Sequence, residues 1–492
     1  MHNHPHQNPN TPTHPPSDIA ITVSEGFWQW LNDLNLSLAF TTYQTNRLFL
    51  IGCKLNGRLA VNERLFDKPM GLYAHNDSLY MACRYQLWQL ENRLAIGETH
   101  QGGDRLYVPS VAYTTGDLNV HDVVLDKQQQ LLFINTDFSC LAKQQAGFSF
   151  VPVWQPPFIS KLAAEDRCHL NGLAMCGGEP TYVTACSQTD TPAGWRNHRL
   201  DGGIVLHLPS NQIIATGLSM PHSPRWYRGK LWLLNSGSGE LGYLDGERFM
   251  PITFCPGFVR GLAFLGDYAV VGLSKLRSKT FGGLALETRL AHAGQEAHCG
   301  LMVIDLNTGD SLHSLQIDGV VEELFDVVVL PKVRQPRALG FQDDSIERLV
   351  NFPDSDGLLI TKPTVSRPSL NTSLQKPGLP RSEAKPVIQY QQVYHLNSDN
   401  LLAYEALTYP SLKTRWQNHA QRGELLGVSA SIAGAMIGFA VAEQWQQSNG
   451  EPAAELLSLF VLPVYRHQGI ASTLVRQLQR LVGRPLGIVA CR

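Results

Sequence analysis

The chain lacks three features that would place it at once. No run of about 18 apolar residues occurs in its 492, so no segment is suited to cross a bilayer as a helix. No surplus of one charge sign exists: 40 Lys and Arg stand against 42 Asp and Glu. The net charge of −2 gives no electrostatic reason to expect nucleic acid or an anionic membrane as a partner. Nine cysteines (Cys53, Cys83, Cys140, Cys168, Cys176, Cys186, Cys255, Cys299, Cys491) form no C-x-x-C pair, so zinc is not indicated. An odd count without a secretion signal points to reduced thiols in the cytoplasm, and the apolar strand contexts of Cys168, Cys176 and Cys186 read as small core residues. Residues 1–22 lack the basic and apolar pattern of a signal peptide. They read as a disordered His/Pro-rich tail whose His2, His4, His6 and His14 are solvated.

What is present is ample apolar content, 43%, enough for two domains. Between Leu38 and Pro331 a loose repeat emerges from six starts of similar character: Pro69-Met-Gly-Leu-Tyr, Val120-His-Asp-Val-Val, His169-Leu-Asn-Gly-Leu-Ala, Pro221-His-Ser-Pro-Arg-Trp, Val259-Arg-Gly-Leu-Ala and Glu322-Glu-Leu-Phe-Asp-Val-Val. Each of the first five leads through a short turn into a β-rich run, such as Gln130-Leu-Leu-Phe-Ile-Asn or Gly229-Lys-Leu-Trp-Leu-Leu-Asn, and several continue into a third strand. Several strands per unit at such a period indicate propeller blades. The sixth start has no outer strands after it, whereas the N-terminus supplies unpaired ones at Leu38–Thr42, Arg47–Gly52 and Arg58–Asn62. Joining them closes a ring, so residues 23–335 are expected to form an all-β six-bladed β-propeller with the helix Glu25–Asn35 capping one end. A β-sandwich is the alternative.

The blade starts carry polar residues expected to face a central channel: His121, Asp122, His169, Asn171, His222, Arg225, Arg260, Glu322, Glu323 and Asp326. Polar groups converging there must be paired, hydrated or ligand-bound, because each one left dry and unpartnered costs about 1 to 3 kcal/mol. An internal salt-bridge and water network and a ligand or metal site are both open readings. The segments His169-Leu-Asn-Gly-Leu-Ala and Gly229-Lys-Leu-Trp-Leu-Leu-Asn-Ser-Gly-Ser-Gly-Glu-Leu resemble the strictosidine-synthase and gluconolactonase class of six-bladed propellers. More closely, the region resembles an uncharacterised bacterial family of such propellers, which implies a fold but no reaction. In lactonases of that class an inner-strand Glu, an Asn and an Asp hold a divalent cation. Asn171 matches the Asn, while Met70–Gly71 and His222 stand near where carboxylates are expected, so a metal is left unknown.

Residues 336–386 read as a linker, Pro/Ser-rich from Thr361 (Pro363, Pro368, Pro377, Pro380, Pro386), with Asp344–Val350 as a short helix or part of it. Beyond it, Leu456 to Arg480 reads as an apolar strand, a tight glycine turn and an amphipathic helix. Ile470, Leu474, Leu478 and Leu481 give that helix its buried stripe. In Arg466-His467-Gln468-Gly469-Ile470-Ala471-Ser472 the small residues leave backbone N–H groups uncovered at a helix start, a pattern that cradles phosphate.

This strand, turn and helix resemble the fourth strand and third helix of the GNAT acyltransferases. Arg466, Gly469 and Ala471 match the loop pattern R/Q-x-x-G-x-G/A, and Val461, Pro463, Tyr465 and Arg466 match its lead-in. The resemblance implies binding of acetyl-CoA or another acyl-CoA as substrate. Its pyrophosphate would lie on the amides from Gln468 to Ser472 and its pantetheine along the edge of Leu459, Phe460 and Val461. The acceptor would be a small-molecule or peptide amine of unknown identity. Glu455, just before that strand, is the candidate general base, with a solvated acidic loop residue as the other reading. An N–H near Phe460 or Val461 would hold the oxyanion. His467 either touches phosphate or points into water.

Residues 387–492 otherwise fit the start of that fold: a strand Val387–Tyr394, a helical stretch Ser398–Gln421, a hairpin from Leu425–Ser431 to Ala435–Gln444 and a fifth strand Leu486–Cys491. The family's fold continues with a helix and two strands, so an α/β GNAT-type domain lacking its C-terminal part is expected, inactive or completed by a separate chain.

Overall fold

The computed structural model describes residues 19–276, 283–341, 346, 349–350, 360–361, 388–393, 425–432, 435–446, 452–461, 469–483 and 487–488. The chain divides into two compact units, Met1–Pro368 and Ser369–Arg492. Among the described residues no helix is long and apolar enough to cross a membrane.

The first unit is built from six four- or five-stranded sheets, counted among the described residues, with a separate two-stranded pair Leu349–Val350 and Ile360–Thr361. Sheets II to VI each begin with one of the repeat starts read in the sequence. Their first strands are Leu72–His75, Val120–Leu125, Leu170–Cys176, Pro221–Tyr227 and Phe258–Leu265. In each, three following segments pair antiparallel in sequence order. Sheet I differs: its first strand, Val327–Pro331, comes from the far end of the unit and pairs with Leu36–Thr42, register Leu36↔Pro331, followed by Arg47–Cys53 and Leu59–Leu65. This is the joining of ends that the orphan N-terminal strands call for.

The first strands touch in a cycle: Leu72–His75 meets Val120–Leu125, and so on through Phe258–Leu265 to Val327–Pro331, which returns to Leu72–His75. Two devices alternate around that cycle. From sheets III, V and I a polar side chain reaches the next first strand: Asp122 Oδ2 accepts from Leu173 N at 3.0 Å, Ser223 Oγ from Gly261 N at 3.0 Å, and Asp326 Oδ2 from Leu72 N at 2.9 Å. From sheets II, IV and VI the contact is a glycine. A Cβ on Gly172 would stand 2.5 Å from Pro224 Cδ, and Gly71 and Gly261 are crowded in the same way by the backbone of the following strand. Hydroxyls at the ends of second strands add a further stitch, with Thr41, Thr136, Ser236 and Ser274 donating to carbonyls of Met70, Leu170, Val259 and Leu324.

The apolar core follows the same order, because strands buried on both faces need an apolar layer on each side. One cluster lies between each consecutive pair of sheets. Phe133 and Leu87 fill the space between II and III, Ile134 and Leu170 between III and IV, Leu233 and Val205 between IV and V, and Leu234 and Val271 between V and VI. Leu50 and Leu79 join I and II, while Val270, Leu301, Leu38 and Phe49 join VI and I beneath α1 (Phe27–Asp33). Eight cysteines are free and buried or half-buried, Cys168 and Cys186 fully so and Cys176 half-buried; Cys491 lies outside the described residues.

Two boundaries differ from expectation. Residues 20–22 are not tail: Ala20–Val23 is a strand that pairs with Ser311–Asp318 at the outer edge of sheet VI, as the β-branched run Ile21-Thr22-Val23 permits. The linker does not begin at 336, since Pro336–Ala338 pairs parallel with Arg105–Tyr107 at the outer edge of sheet II, an edge position that tolerates proline. Leu349–Val350 is strand, not helix.

The second unit is a five-stranded sheet in the order Gln389–Val393, Leu425–Ile432, Ala435–Gln446, Pro452–Val461, Gly487–Ile488; only the last pair is parallel. The helix expected at Ser398–Gln421 lies outside the described residues. α3 (Ile470–Val482) packs Ile470, Leu474, Leu478 and Val482 onto Val428, Ala440, Ala442 and Ala454, whose small size lets helix and sheet approach. The stripe ends on Val482 rather than Leu481, which is only half-buried, because the four-residue step from Leu478 keeps to the sheet side. α2 is Ala285–Ala293, in the first unit between the second and third strands of sheet VI.

Candidate functional site

In the second unit, Gly469 stands at the N-cap of α3 with φ 77°, left-handed backbone that glycine adopts without strain. No side chain caps the helix, and the hydroxyl of Thr473 donates back to the Gly469 carbonyl at 3.0 Å. The first amides of an α-helix have no intrahelical acceptor. Those of Ile470, Ala471 and Ser472 therefore bring a partial positive charge to the turn, with Ile470 buried beneath and Ser472 exposed. Arg466, His467 and Gln468 lie outside the described residues.

The neighbouring strand Pro452–Val461 carries a β-bulge. Its register against Ala435–Gln446 runs Val441↔Ser458 and then Ala442↔Leu456, so Leu457 is the extra residue. On its other side the described pairing covers Glu455↔Gly487 and Leu456↔Ile488. Leu459 is 40% exposed, Phe460 is half-buried and Val461 is buried. Glu455 is inside the strand rather than before it, because the ladder extends back to Pro452, and its register partner is the buried Glu443.

In the first unit the ten channel candidates separate into two groups and one outlier. Asp122, Arg225 and Asp326 form an ion-paired group: Arg225 Nη1 lies 2.7 Å from Asp122 Oδ2 and Nη2 3.8 Å from Asp326 Oδ1. Burial raises the Asp326 carboxyl to about 7, with Arg225 opposing and Asp122 reinforcing the rise. These are the same carboxylates that bind backbone of the next first strands, so this group ties neighbouring sheets together. Glu322 is exposed and does not join either group; its amide donates to Gln44. The irregular stretch before Val327–Pro331 puts Glu323, not Glu322, inward.

His121, His169, Asn171, His222, Arg260 and Glu323 form the second group, at the ends where the first strands begin. The His121 and His169 rings are 4.9 Å apart; Phe325 lies 5.3 Å from His121 and 5.6 Å from the Arg260 guanidinium. Arg260 is also 4.8 Å from the Phe258 ring, which His222 approaches edge-on at 5.8 Å. Arg260 Nη1 stands 3.6 Å from Glu323 Oε2 and donates to the Tyr43 hydroxyl at 3.0 Å, and Tyr43 in turn donates to Glu323.

All three imidazoles are fixed by Nδ1. In His121 it faces the Asn119 carbonyl (2.8 Å) and Thr136 Oγ1, and in His222 the Met220 carbonyl (2.8 Å) and Ser236 Oγ. In His169 it faces the Asp166 carboxylate at 2.8 Å. A carbonyl or carboxylate only accepts, so Nδ1 carries a hydrogen in each ring. Burial lowers His121 and His222 well below the usual histidine range, with His169 and Arg260 respectively adding to the effect, so both stay neutral. Burial pushes the Glu323 carboxyl up to about 8 and the Arg260 guanidinium down to about 10. His222 Nε2 and Asn171 Oδ1 are buried without a hydrogen-bond partner among the described residues.

This donor set does not fit the divalent cation of lactonases. Arg260 brings a positive charge into the group, Met70 and His222 replace carboxylates, and among the described residues no three His, Cys, Asp or Glu side chains are arranged to hold a metal ion. Sequence reasoning missed Tyr43, Asp166 and Trp195. Trp195, in the 3-10 helix Gly194–His198, stacks on His169 at 4.0 Å and donates from Nε1 to Asp166 Oδ2 at 2.8 Å. With Leu284, Leu286 and Leu290 of the α2 region it packs over Cys186, Met220 and Phe258.

Fold and sites thus define a mostly β protein with a GNAT acetyltransferase domain at its C-terminal end, whose family model matches residues 390–490. The chain belongs to the family DUF4915, described as a domain of unknown function, whose model matches residues 25–339. No curated protein matches the sequence. Among solved structures, the first unit is similar to a chain of a nidogen/laminin complex (10% identity, 60% of this chain and 99% of that one, TM-score 0.38). It is also similar to an inactive virginiamycin B lyase from Staphylococcus aureus (10% identity, 61% and 99%, TM-score 0.31). The second unit is similar to an aminoglycoside N-acetyltransferase in complex with CoA (23% identity, 23% and 82%, TM-score 0.19). Likenesses of this size carry no functional weight.

Proposed function

We propose that the second unit is an acyl-CoA-dependent N-acyltransferase. We also propose that the first unit is a closed six-bladed β-propeller whose histidine end takes a small ligand. The observation that carries the acyltransferase reading is the uncapped start of α3 at left-handed Gly469, beside a strand that carries a β-bulge at Leu457. The amides from Ile470 to Ser472 would receive the pyrophosphate. The edge from Ser458 to Val461 would meet the amide-bearing pantetheine arm by strand-like hydrogen bonds. The amine of a small molecule or peptide then attacks the thioester directly, with Glu455 as the base that removes its proton. For the first unit, the cyclic order of first-strand contacts and the matching cycle of apolar clusters support ring closure.

Calorimetry of the full chain with acetyl-CoA tests the acyltransferase reading. Gly469→Val introduces a β-branched side chain at φ 77° and covers the amides, so affinity should fall at least tenfold. No heat from the wild type, or equal affinity in both proteins, would overturn it.

A further inference from the structure

Away from the histidine group, where the first strands of sheets II, V and VI end, lies a cavity of about 260 Å³ that those strands share with Val327–Pro331 of sheet I. It is smaller than the about 300 to 1,000 Å³ typical of drug-sized ligands. Arg225 lines it, with a side chain 22% exposed against 4% for each of its aspartate partners. Nη1 is spent on Asp122 Oδ2 and on the Leu173 and Pro224 carbonyls, whereas Nη2 keeps only long contacts, 3.4 Å to Asp122 Oδ1 and 3.8 Å to Asp326 Oδ1. The guanidinium therefore has a hydrogen to offer the cavity. Each first strand is also the terminal strand of its sheet, so every second residue turns its N–H and C=O away from the ladder. Leu72 N is such a group, bonded to Asp326, and Ala74 two residues on faces the same way. Val327 N, bonded to the same carboxylate, makes Val329 another; Ala74 and Val329 both line the cavity. Burial raises the Tyr73 phenol, so Tyr73 adds a hydroxyl that stays protonated. The walls are aromatic: Tyr227 stacks on Phe264 at 4.5 Å with planes 6° apart, and Trp226, 38% exposed, stacks on Tyr182 at 5.9 Å. One face of each ring is thereby taken, and the pairing holds the walls in place.

We propose that this cavity binds one uncharged pyranose sugar, its C–H face against Trp226 and its hydroxyls bonded to Arg225, Tyr73 and the open strand edges at Ala74 and Val329. This stands apart from acyl transfer by the second unit and from a ligand at the histidine end. Charge decides against ionic ligands. Asp122 and Asp326 outnumber Arg225, so an anion meets no net positive charge, while a cation meets the exposed guanidinium before either carboxylate. Hydrogen bonding decides for hydroxyls. The guanidinium and the amides only donate and the carbonyls only accept, so groups that do both can use every edge the cavity presents. A saturated ring with an apolar face and a rim of hydroxyls matches walls that offer one aromatic face each.

The test titrates the full chain with glucose, galactose and mannose, read by saturation-transfer NMR and by tryptophan fluorescence. At least one should bind saturably. Glucuronate and glucosamine, which add a negative or a positive charge to the same ring, should bind at least about tenfold more weakly than the neutral sugar. Trp226→Ala should lower affinity at least about tenfold in protein that still melts cooperatively. Trp226→Phe should restore most of that affinity while abolishing the fluorescence response, and Tyr73→Phe should lower it severalfold. The proposal is overturned by absence of binding with all three sugars, by a charged analogue that binds as tightly as the neutral one, or by equal affinity in folded Trp226→Ala. Should Trp226→Ala not fold, a fluorescence response that persists in Trp226→Phe overturns it.

Discussion

Glu323→Gln is the most direct probe of the histidine end, because it removes one ionisation while keeping shape and most hydrogen bonding. Burial raises this carboxyl from 4.5 to about 8 in the folded protein. A native state that holds its proton more tightly than the unfolded chain loses stability as pH rises through the interval between the two values. At about 1.4 kcal/mol per pH unit the whole interval of about 3.5 units corresponds to at most about 5 kcal/mol. Arg260, 3.6 Å away, favours the ionised form and offsets part of it. The window from about pH 7 to 8.5 favours this group, since the buried His121 and His222 titrate well below it, while Asp326, centred near 7, adds a smaller slope that Glu323→Gln leaves in place. Across that window the wild type should lose about 1 kcal/mol from this group. A first unit of this size should then melt a few degrees lower at the alkaline end. Scanning calorimetry across that range, on the transition of the first unit, should show the decline in wild type and a flatter profile in Glu323→Gln. Equal slopes in both proteins would refute the assignment of a protonated Glu323.

Gly172→Ala places a Cβ 2.5 Å from Pro224 Cδ between two first strands, and should lower the melting temperature in line with about 1 to 3 kcal/mol of overpacking. Phe133→Ala opens a cavity between sheets II and III and should cost about 3 to 5 kcal/mol by denaturant titration. Arg225→Met strands the buried Asp122 and Asp326 together, so it should destabilise by about 3 to 5 kcal/mol at neutral pH and less when acid protonates them. A Met variant as stable as wild type would show that the group does not brace the ring.

The repeat of sheets was legible in the sequence because its signals are local: an apolar run, a turn and another run recur wherever first and second strands face each other. The return of Val327–Pro331 to Leu36–Thr42 was legible for a different reason, since strands without partners at one end and a start without followers at the other have one economical solution. What escaped were contacts set by irregular backbone. Asp166 precedes the repeat start and reaches His169 only because both residues are left-handed. Trp195 comes from an insertion after the second strand of sheet IV, and no periodicity predicts which ring it will cover. Glu322 and Glu323 both stand at the sixth repeat start, and the sequence does not separate them, because residues 322–326 are irregular backbone that buries Glu323 and leaves Glu322 exposed.

One signal in the sequence was available and unused. Four residues of the histidine group are each followed 14 or 15 positions on by a small side chain at the end of the second strand: His121 by Thr136 and Asn171 by Cys186 (15), His222 by Ser236 and Arg260 by Ser274 (14). In three of these four sheets the hydroxyl donates to a carbonyl at the start of the next sheet, and in two it also contacts the imidazole Nδ1. The same hydroxyl therefore ties neighbouring sheets together and fixes the tautomer that leaves Nε2 bare. Contact between neighbouring sheets and the orientation of these imidazoles share atoms, so a substitution at Thr136 or Ser236 bears on both. At Asp166 and His169 the carboxylate takes over the hydroxyl's role, which makes that imidazole the one whose positioning is separable from the scaffold. That separation means Asp166→Asn perturbs the His169 ring, whereas Thr136→Val also removes a contact between neighbouring sheets.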